Sequence, residues 1–331
     1  MKPLVSVVIP VRNGGEYLQA AVSSILTQSL AGLELLLVDD HSTDGAVAAL
    51  DVADPRLKIM ASEGEGVVNA FNTGFRQCKG EYIARMDADD ISLPERLACQ
   101  LDYLEVNPAI DIAGCRIKFF SEEGIRGGLE RYQQWLNDLC EPAEIHRQMF
   151  VESPMPNPGS MFRRAALERL GGYREVDWPE DYDLYLRADA GGMKMGKPGE
   201  VLLHWREHTE RLTHTDPLYS RQQFMSAKAH FLVHHRVRGR KVIIWGAGPT
   251  GRLMHDLIIA EGGVVEGFLE VHPRRIGGQK RGLPVWAIDK MAQANLPMVL
   301  VAVGAAGARK EIGSFMLKHS KAEGRDYLFV A

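Results

Sequence analysis

The stretch Tyr82-Ile83-Ala84-Arg85-Met86-Asp87-Ala88-Asp89-Asp90 joins an apolar run to three carboxylates within four positions. The apolar run predicts a buried strand over residues 82–86, so the acids follow directly at its carboxyl end. Neighbouring carboxylates repel one another, and carboxylate oxygens are the ligands that Mg²⁺ and Mn²⁺ prefer. The stretch therefore predicts a divalent-metal site, and Mg²⁺ sites of this kind commonly include substrate phosphates.

The same acids also fit a simpler interpretation, in which an acid-rich turn precedes a helix. The segment Ser92-Leu93-Pro94-Glu95 is a capping-box pattern with proline in the first turn, and it predicts that a helix begins there. The acidic triplet alone is compatible with both interpretations, so the choice depends on the rest of the chain.

Composition favours a globular protein with more than one domain. The chain has 331 residues, of which 45% are hydrophobic and 25% are charged, and this length exceeds that of one typical domain. The net charge of −4 argues against a nucleic-acid partner, which would require a basic surface. The four cysteines form no C-x-x-C pair, which indicates a reducing compartment.

The sequence carries no signal-peptide pattern, and no apolar run approaches the ~18 residues that span a bilayer. We therefore expect a cytoplasmic protein, with the inner face of the membrane as a further location.

Strand and helix patterns alternate from the start of the chain. Apolar runs predict strands over residues 5–10, 33–38, 57–60 and 82–86, and helical spacing predicts helices over 18–26 and 67–78. This order predicts an α/β fold with a mostly parallel sheet and helices on both faces. Ligands of such sheets lie beyond the carboxyl ends of the strands, where Asn13, Asp40 and the acidic triplet fall.

The second half of the chain divides into further segments. A strand is predicted over residues 110–120, a helix over 181–190, a strand over 201–205 and a helix over 217–237. A second α/β pattern follows Gly239, with strands predicted over 242–245, 264–269 and 298–303. We therefore predict a first domain over residues 1–215, a basic linker helix over 216–238 and a smaller α/β domain over 239–331.

Four segments in order resemble one family. They are VSVVIPVRN at residues 5–13, LVDDHSTD at 37–44, GEYIARMDADD at 80–90 and Glu180-Asp181. Together they resemble family 2 glycosyltransferases, and the resemblance extends over about residues 3–215. It implies the GT-A fold and an inverting enzyme that uses a nucleotide-sugar donor.

The resemblance also implies roles for individual residues. Asp181 matches the general base, with Glu180 beside it as a second catalytic candidate. Asp89 matches the metal ligand on the diphosphate, and His208 of a late R-x-H segment is a second ligand candidate. The cofactor is expected to be Mn²⁺ or Mg²⁺. The expected nucleotide-sugar-binding residues are Pro10, Val11, Asn13, Asp40, Asn72, Arg85, Asp87, Ala88 and Arg206.

The expected partners follow from the same resemblance. A UDP-sugar is the favoured donor, and the acceptor is a glycan or a lipid-linked glycan of a surface polysaccharide. Many relatives carry His-Pro where this chain has Asn157-Pro158, so the acceptor is expected to differ if that histidine helps to hold it. The Q-x-x-R-W signature of processive synthases does not occur in the sequence, which favours transfer of a single sugar.

The segment Gly246-Ala247-Gly248-Pro249-Thr250-Gly251 follows a predicted strand and begins a predicted helix, as in a dinucleotide-binding fingerprint. Glu270 ends the next predicted strand, where an acid meets a ribose hydroxyl in such sites. The region resembles Rossmann-like modules appended to some glycosyltransferases. A second nucleotide site, a role in homo-oligomer formation and simple close packing of strand on helix all remain open.

Other functions compete with this interpretation. A nucleotidyltransferase also places acids at parallel strand ends, and a non-catalytic nucleotide-binding protein would not need Asp181. A reductase would rest on the late glycines alone. His204-x-x-Glu207-His208 formally matches a zinc-peptidase motif, which requires a helix. The acid-free basic segment 217–241 fits either a peripheral membrane contact or a solvated helix between domains.

Overall fold

The computed structural model describes residues 2–122, 124–125, 127–293, 296–305 and 307–331, and strands and helices are interspersed throughout these ranges. The strands are β1 Val5–Val11, β2 Leu33–Asp39, β3 Leu57–Ala61, β4 Tyr82–Arg85, β5 Ile91–Ser92, β6 Ile112–Ala113, β7 Arg116–Phe120, β8 Met161–Arg163, β9 Met195–Gly196, β10 Val201–Arg206, β11 Val242–Trp245, β12 Val265–Glu270, β13 Gln279–Lys280, β14 Leu283–Ala287, β15 Met298–Val301 and β16 Tyr327–Phe329.

The α-helices connect these strands. They are α1 Leu18–Leu26, α2 Val67–Gln77, α3 Arg96–Val106, α4 Gly127–Asp138, α5 Pro142–Gln148, α6 Arg164–Leu170, α7 Glu180–Ala190, α8 Leu212–Thr215, α9 Arg221–Phe231, α10 Pro249–Ala260 and α11 Ala308–Lys318. Short 3₁₀ turns occur at Gly15–Tyr17, Asn157–Gly159, Pro217–Tyr219 and Ile288–Ala292, and a π-helix spans Leu232–Val237.

The largest sheet has the strand order β3-β2-β1-β4-β8-β6-β9 within the described residues. Strands β3, β2, β1 and β4 are parallel, whereas β8 runs antiparallel to both β4 and β6. The apolar runs that predicted β1, β2 and β4 are buried on both sides, as parallel strands between helices are, whereas the edge strand β3 is partly exposed. The mostly parallel sheet expected from the sequence is therefore confirmed.

Helices cover both faces of this sheet. The apolar sides of α1 and α3 share one core with Val7, Ile9 and Leu37. Helix α2 packs on the opposite face, where a Cβ at Gly74 would come within 2.7 Å of Val8 and 2.8 Å of Val38. The alternation of side chains along β1 thus supplies two separate packing surfaces.

A small sheet with the order β5-β10-β7 lies in the same part of the chain. Strand β5 begins immediately after the acidic triplet, and it pairs antiparallel with β10 through Ile91 and His204. This pairing places the residues that follow His204 beside the acids that precede Ile91.

The described residues divide into two compact units. The first consists of residues 1–146, 154–176 and 183–216, and the second of 147–153, 177–182 and 217–331. The second unit contains an additional sheet with the order β13-β14-β12-β11-β15-β16, in which all pairs except β13–β14 are parallel. Across the described ranges, none of the helices combines the length and the apolar character needed to cross a membrane.

The structure corrects two strand and helix predictions. The strand expected over residues 110–120 is two strands in different sheets, because β6 ends at Ala113 and β7 begins at Arg116 in the small sheet. The helix expected over 217–237 is interrupted. A 3₁₀ turn occupies Pro217–Tyr219, Ser220 caps the following helix α9, and a π-helix completes the segment.

The capping-box prediction at residues 92–95 was wrong. Ser92 lies in β5, and helix α3 begins at Arg96 without a local side-chain cap. Gln28 instead accepts a hydrogen bond from the Leu97 N–H at 3.0 Å and donates to Ser92 and to the Leu93 carbonyl. A side chain distant in sequence thus satisfies the free N–H group that a local cap would have bound.

We predict that Gly80→Ala destabilises the first unit by about 1–3 kcal/mol, since a Cβ at this position would lie 2.5 Å from the Ser6 backbone nitrogen. Gly128→Ala is the matched control, because no atom lies within 4 Å of its Cβ position. Urea denaturation measures both free energies of unfolding. Equal stability of the two variants would contradict the close approach between residues 80 and 6.

Candidate active site

The acidic triplet leaves the carboxyl end of β4 and is held by neighbouring cations. The buried Arg85 donates from Nε to Asp87 Oδ1 at 3.0 Å. Its guanidinium lies beside the paired rings of Phe71 and Tyr173, 5.6 and 5.1 Å from their centroids. The aromatic rings therefore fix the cation that orients the first carboxylate of the triplet.

Strand β10 brings a second group of side chains to the acids. His208 Nε2 lies 2.9 Å from Asp89 Oδ2, and Arg206 donates from Nε to the Asp89 carbonyl at 2.8 Å. The backbone N–H of Arg206 donates to Asp90 Oδ1 at 2.7 Å. The structure thus brings together the acids and the R-x-H segment, which lie more than one hundred residues apart in the sequence.

Arg206 is held between two aromatic rings. Its guanidinium carbon lies 4.0 Å from the centroid of Tyr17 and 4.4 Å from that of Phe120. The Tyr17 ring also lies 5.5 Å from that of His208. A planar guanidinium stacks on such rings, and lysine would lose this contact. The two rings were not predicted, because nothing in their local sequence points to Arg206.

The triplet fits a divalent cation. Asp90 is buried, and its Oδ2 has no hydrogen-bond partner among the described residues. Burial raises the pKa of the Asp90 carboxyl well above its usual value, and the charges of Asp89 and Asp87 raise it further, while the Arg206 N–H lowers it. Carboxylate oxygens with one imidazole form a donor set that suits Mn²⁺ or Mg²⁺, so Asp87, Asp89 and His208 are the residues that could hold the ion.

A second group of predicted residues lies where β1 and β2 end. Asp40 is buried, and both of its carboxylate oxygens accept from the Gly66 N–H at the start of α2, at 3.1 and 3.0 Å. Arg12 faces the same carboxylate at 3.6 Å. Asp40 is therefore positioned by the backbone of the next helix.

The loop after β1 has a left-handed backbone at Asn13, with φ of 55°. Its side-chain oxygen accepts from the Thr43 N–H at 2.8 Å, and its own N–H donates to Ser42. Asparagine tolerates this conformation better than most residues do. The two strand-end loops are thus tied together by side-chain contacts. Pro10 and Val11, which precede them, are buried within β1.

Residues 6–171 match the family described as Glycosyl transferase family 2. The match contains both strand-end loops and the acidic triplet, and it covers half of the chain. The chain belongs to glycosyl transferase family 2. It is accordingly an enzyme, and its chemistry is sugar transfer.

Named relatives of this family 2 enzyme support the same assignment. An uncharacterized glycosyltransferase of Haemophilus influenzae is 31% identical over 236 residues, which cover 68% of this chain and 71% of the relative. The O-antigen biosynthesis glycosyltransferase WbnJ of Escherichia coli is 27% identical over 215 residues, covering 62% of this chain and 81% of that protein.

The fold also matches a solved glycosyltransferase structure. The crystal structure of residues 1–349 of S. aureus TarS, in complex with UDP-GlcNAc, superimposes with a TM-score of 0.56 and 16% identity. The match covers 77% of this chain and 71% of TarS 1–349. At this identity the likeness concerns the fold, and it agrees with the GT-A architecture that the sequence indicated.

Other predicted residues of the transferase have internal partners. The amide of Asn72 in α2 donates to the Tyr173 carbonyl at 2.9 Å and accepts from the Tyr173 N–H at 3.1 Å. It therefore anchors the residue whose ring contacts Arg85. Ala88 is half-buried within the acidic triplet.

Asn157 is buried in the transferase. Its Oδ1 accepts from the hydroxyls of Tyr173 and Tyr185 at 2.5 and 3.3 Å. Tyr185 also shares a hydrogen bond with Ser160 at 2.7 Å. The asparagine thus joins a buried polar network.

Glu180 and Asp181 begin helix α7 and belong to the second unit. Glu180 is buried and accepts from the Tyr219 hydroxyl at 2.6 Å. Asp181 is half-exposed, and its Oδ1 accepts from the Tyr182 N–H at 2.7 Å. The more accessible of the two carboxylates is therefore the one that matches the family's base.

In the glycine loop of the second unit, residues 246–251, two of the three glycines are required by the local backbone geometry. Gly246 has φ of 113°, and a Cβ at Gly251 would come within 1.8 Å of the Gly246 carbonyl oxygen. At Gly248 the Cβ position meets no atom within 4 Å. Glu270 accepts from the N–H groups of Val271 and His272 and from Arg275, so its own loop engages both oxygens.

The zinc-peptidase alternative does not fit this transferase. His204 and Arg206 lie on strand β10, whereas the motif requires both histidines on one face of a helix. The ring of His204 lies 6.0 Å from that of Phe120, and His208 contacts Asp89.

We predict that Tyr17→Leu raises the hydrogen-exchange rate of the 204–208 backbone about two- to fivefold, because loss of one stacking ring removes about 0.5–1 kcal/mol from the ordering of Arg206. Tyr17→Phe is the control, since it keeps the ring. Hydrogen–deuterium exchange with mass spectrometry measures both variants. If they exchange equally, the ring does not hold Arg206.

Proposed function

We propose that this family 2 enzyme is a metal-dependent, inverting transferase that moves one sugar from a nucleotide-diphospho-sugar to an acceptor hydroxyl. The observation that carries the proposal is the contact of His208 and Arg206 with Asp89 at the end of β4. Oxygen and imidazole ligands suit a divalent ion, and a guanidinium suits a phosphate. A diphosphate that binds together with its metal needs both the ligands of the ion and a guanidinium for its phosphates.

The roles at the acidic triplet follow from this chemistry. Asp89 and His208 would hold Mn²⁺ or Mg²⁺, and Asp87 would face the ribose or sugar side of the donor. A bound ion of this kind would stabilise the negative charge that develops on the leaving diphosphate. Arg206, held in place by its two rings, adds a second positive charge on the protein itself.

Asp181 is proposed as the general base. As the acceptor oxygen attacks the anomeric carbon from the face opposite the leaving group, its proton passes to the Asp181 carboxylate, and the anomeric configuration inverts. Glu180 is proposed to position the first turn of α7, because it is buried and bonded to Tyr219.

A UDP-sugar is the proposed donor. TarS, which shares this fold, was crystallised with UDP-GlcNAc. In this chain, the loops that carry Asn13 and Asp40 would bind the nucleotide, since both lie at strand ends and are rigidly held. A base and ribose bound there would leave the diphosphate to the acidic triplet on the neighbouring strand.

The proposed acceptor is a hydroxyl of a glycan or lipid-linked glycan in surface polysaccharide biosynthesis. The names of two relatives place them in amylovoran and O-antigen biosynthesis. We further propose a cytoplasmic enzyme that contacts the inner face of the membrane peripherally through the basic segment 217–241, which carries no acid.

The second unit is proposed to be a Rossmann-like domain. Its parallel strands follow the order β14-β12-β11-β15-β16, which corresponds to 3-2-1-4-5 when they are counted along the chain. Its proposed roles are a second nucleotide site near Gly248 and homo-oligomer formation. The proposed first domain spans residues 1–215, the proposed linker helix spans 216–238 and the proposed second domain spans 239–331.

We predict that Asp181→Asn lowers kcat by at least about 100-fold, because amide nitrogen cannot accept the acceptor proton. UDP affinity should change by less than about twofold, since the base contributes to the chemical step alone. UDP release from a panel of UDP-sugars with simple glycoside acceptors measures turnover, and calorimetry measures affinity.

Asp177→Asn is the matched control for this variant. Asp177 lies four residues earlier and is exposed, so the substitution makes the same charge change without touching the proposed base. Near-normal turnover of Asp181→Asn, or equal losses in the two variants, would end the assignment of Asp181.

A further inference from the structure

Two histidines and one glutamate converge within the second unit. His230 Nδ1 and His234 Nε2 each lie 2.9 Å from the same oxygen, Oε2 of Glu261. His230 is in the last turn of α9, His234 is in the following π-helix, and Glu261 is the C-cap of α10. The cluster thus joins two helices that pack against each other.

The three donor atoms have the spacing of a metal site. All lie within 4.8 Å of one another. Zinc–nitrogen bonds are about 2.0–2.1 Å long, so two tetrahedral ligands lie about 3.3 Å apart. Small rotations of the side chains would therefore place one ion between them. The side chains are 35%, 46% and 28% exposed, so an ion can reach them from solvent.

The chemistry of the donors favours zinc. Imidazole is a preferred zinc ligand, and two histidines with one glutamate form the protein ligands of a known class of zinc site that leaves a fourth position for water. The acidic triplet of the first unit is rich in carboxylate oxygen and favours Mg²⁺ or Mn²⁺ instead. The two sites therefore differ in the ion that they would select.

The surroundings also favour a cation at this position. Glu261 is the C-cap of α10, and a helix C-terminus attracts positive charge. Without a metal, both rings must donate a proton to one carboxylate oxygen. The π-helix at Leu232–Val237 is a conformation that occurs frequently at functional sites.

We propose that His230, His234 and Glu261 form a zinc site that fastens the end of α9 to the end of α10, with water in the fourth position. The site is separate from sugar transfer, and its role is to hold the second unit's helices together.

The test is a calorimetric titration of ZnCl₂ into tag-free protein that has been stripped with chelator. One high-affinity step is expected for the wild type. His234→Gln and Glu261→Gln should each weaken that step by more than about tenfold, since each loses a ligand. Asp89→Ala should keep it, because the acidic triplet supplies none of its ligands.

His235→Gln is the matched control. His235 is the adjacent histidine, but its ring stacks on Phe231 at 5.3 Å and lies outside the cluster. It should bind zinc as the wild type does. Equal loss in His234→Gln and His235→Gln, or loss in Asp89→Ala, would overturn the proposal.

A second measurement needs no variant. Co²⁺ replaces zinc in such sites, and four-coordinate Co²⁺ absorbs strongly in the visible range. Wild-type protein should show this absorption at one equivalent of Co²⁺, and zinc should displace it. Absence of the band, or of any zinc step in the wild type, would contradict the site even if a variant failed to fold.

Discussion

Electrostatic repulsion among Asp87, Asp89 and Asp90 is the constraint on which the rest of the first unit depends. Three carboxylates at one strand end cost free energy unless cations and hydrogen-bond donors surround them. Arg85 meets the first carboxylate, and Arg206 and His208 reach the others from a distant strand. The position of the small sheet beside β4 is therefore tied to the charge of the triplet.

This constraint accounts for much of the architecture. Strand β5 directly follows the acids and pairs with β10, so the chain closes a loop of more than one hundred residues at the point where the cations are needed. The aromatic rings around Arg85 and Arg206 then fix both guanidinium groups. Preorganised cations of this kind would suit the diphosphate of the proposed donor.

The sequence was sufficient for the elements that local chemistry specifies. Continuous apolar runs predicted the parallel strands β1, β2 and β4, because strands buried on both faces have such runs. Features that depend on tertiary contacts were not predictable. Gln28 replaces the expected capping box of α3, and Tyr17 and Phe120 meet Arg206 only in the fold. The break at Gly114 within the predicted strand 110–120 has the same cause, since β6 and β7 pair with different sheets.

In the second unit, too, features that depend on tertiary contacts were not predictable from the sequence. Its glycine pattern was visible in the sequence, but only the structure shows that Gly246 and Gly251 are required by their close approach. The cluster around Glu261 could not be predicted, because the glutamate lies 27 residues from His234 and reaches it through packing of α10 on α9. The sequence of residues 217–241 predicted a basic segment, but it gave no indication that Glu261 would lie beside its histidines.

The most direct test of the central claim is calorimetric titration of UDP, GDP and CMP, with and without Mn²⁺. The proteins to compare are the wild type, Asp89→Ala and the control Asp102→Ala, whose side chain is exposed on α3. We expect UDP to bind the wild type and the control only with Mn²⁺, and Asp89→Ala to bind at least about tenfold more weakly. Equal binding by Asp89→Ala, or binding without metal, would contradict a metal–diphosphate site at the end of β4.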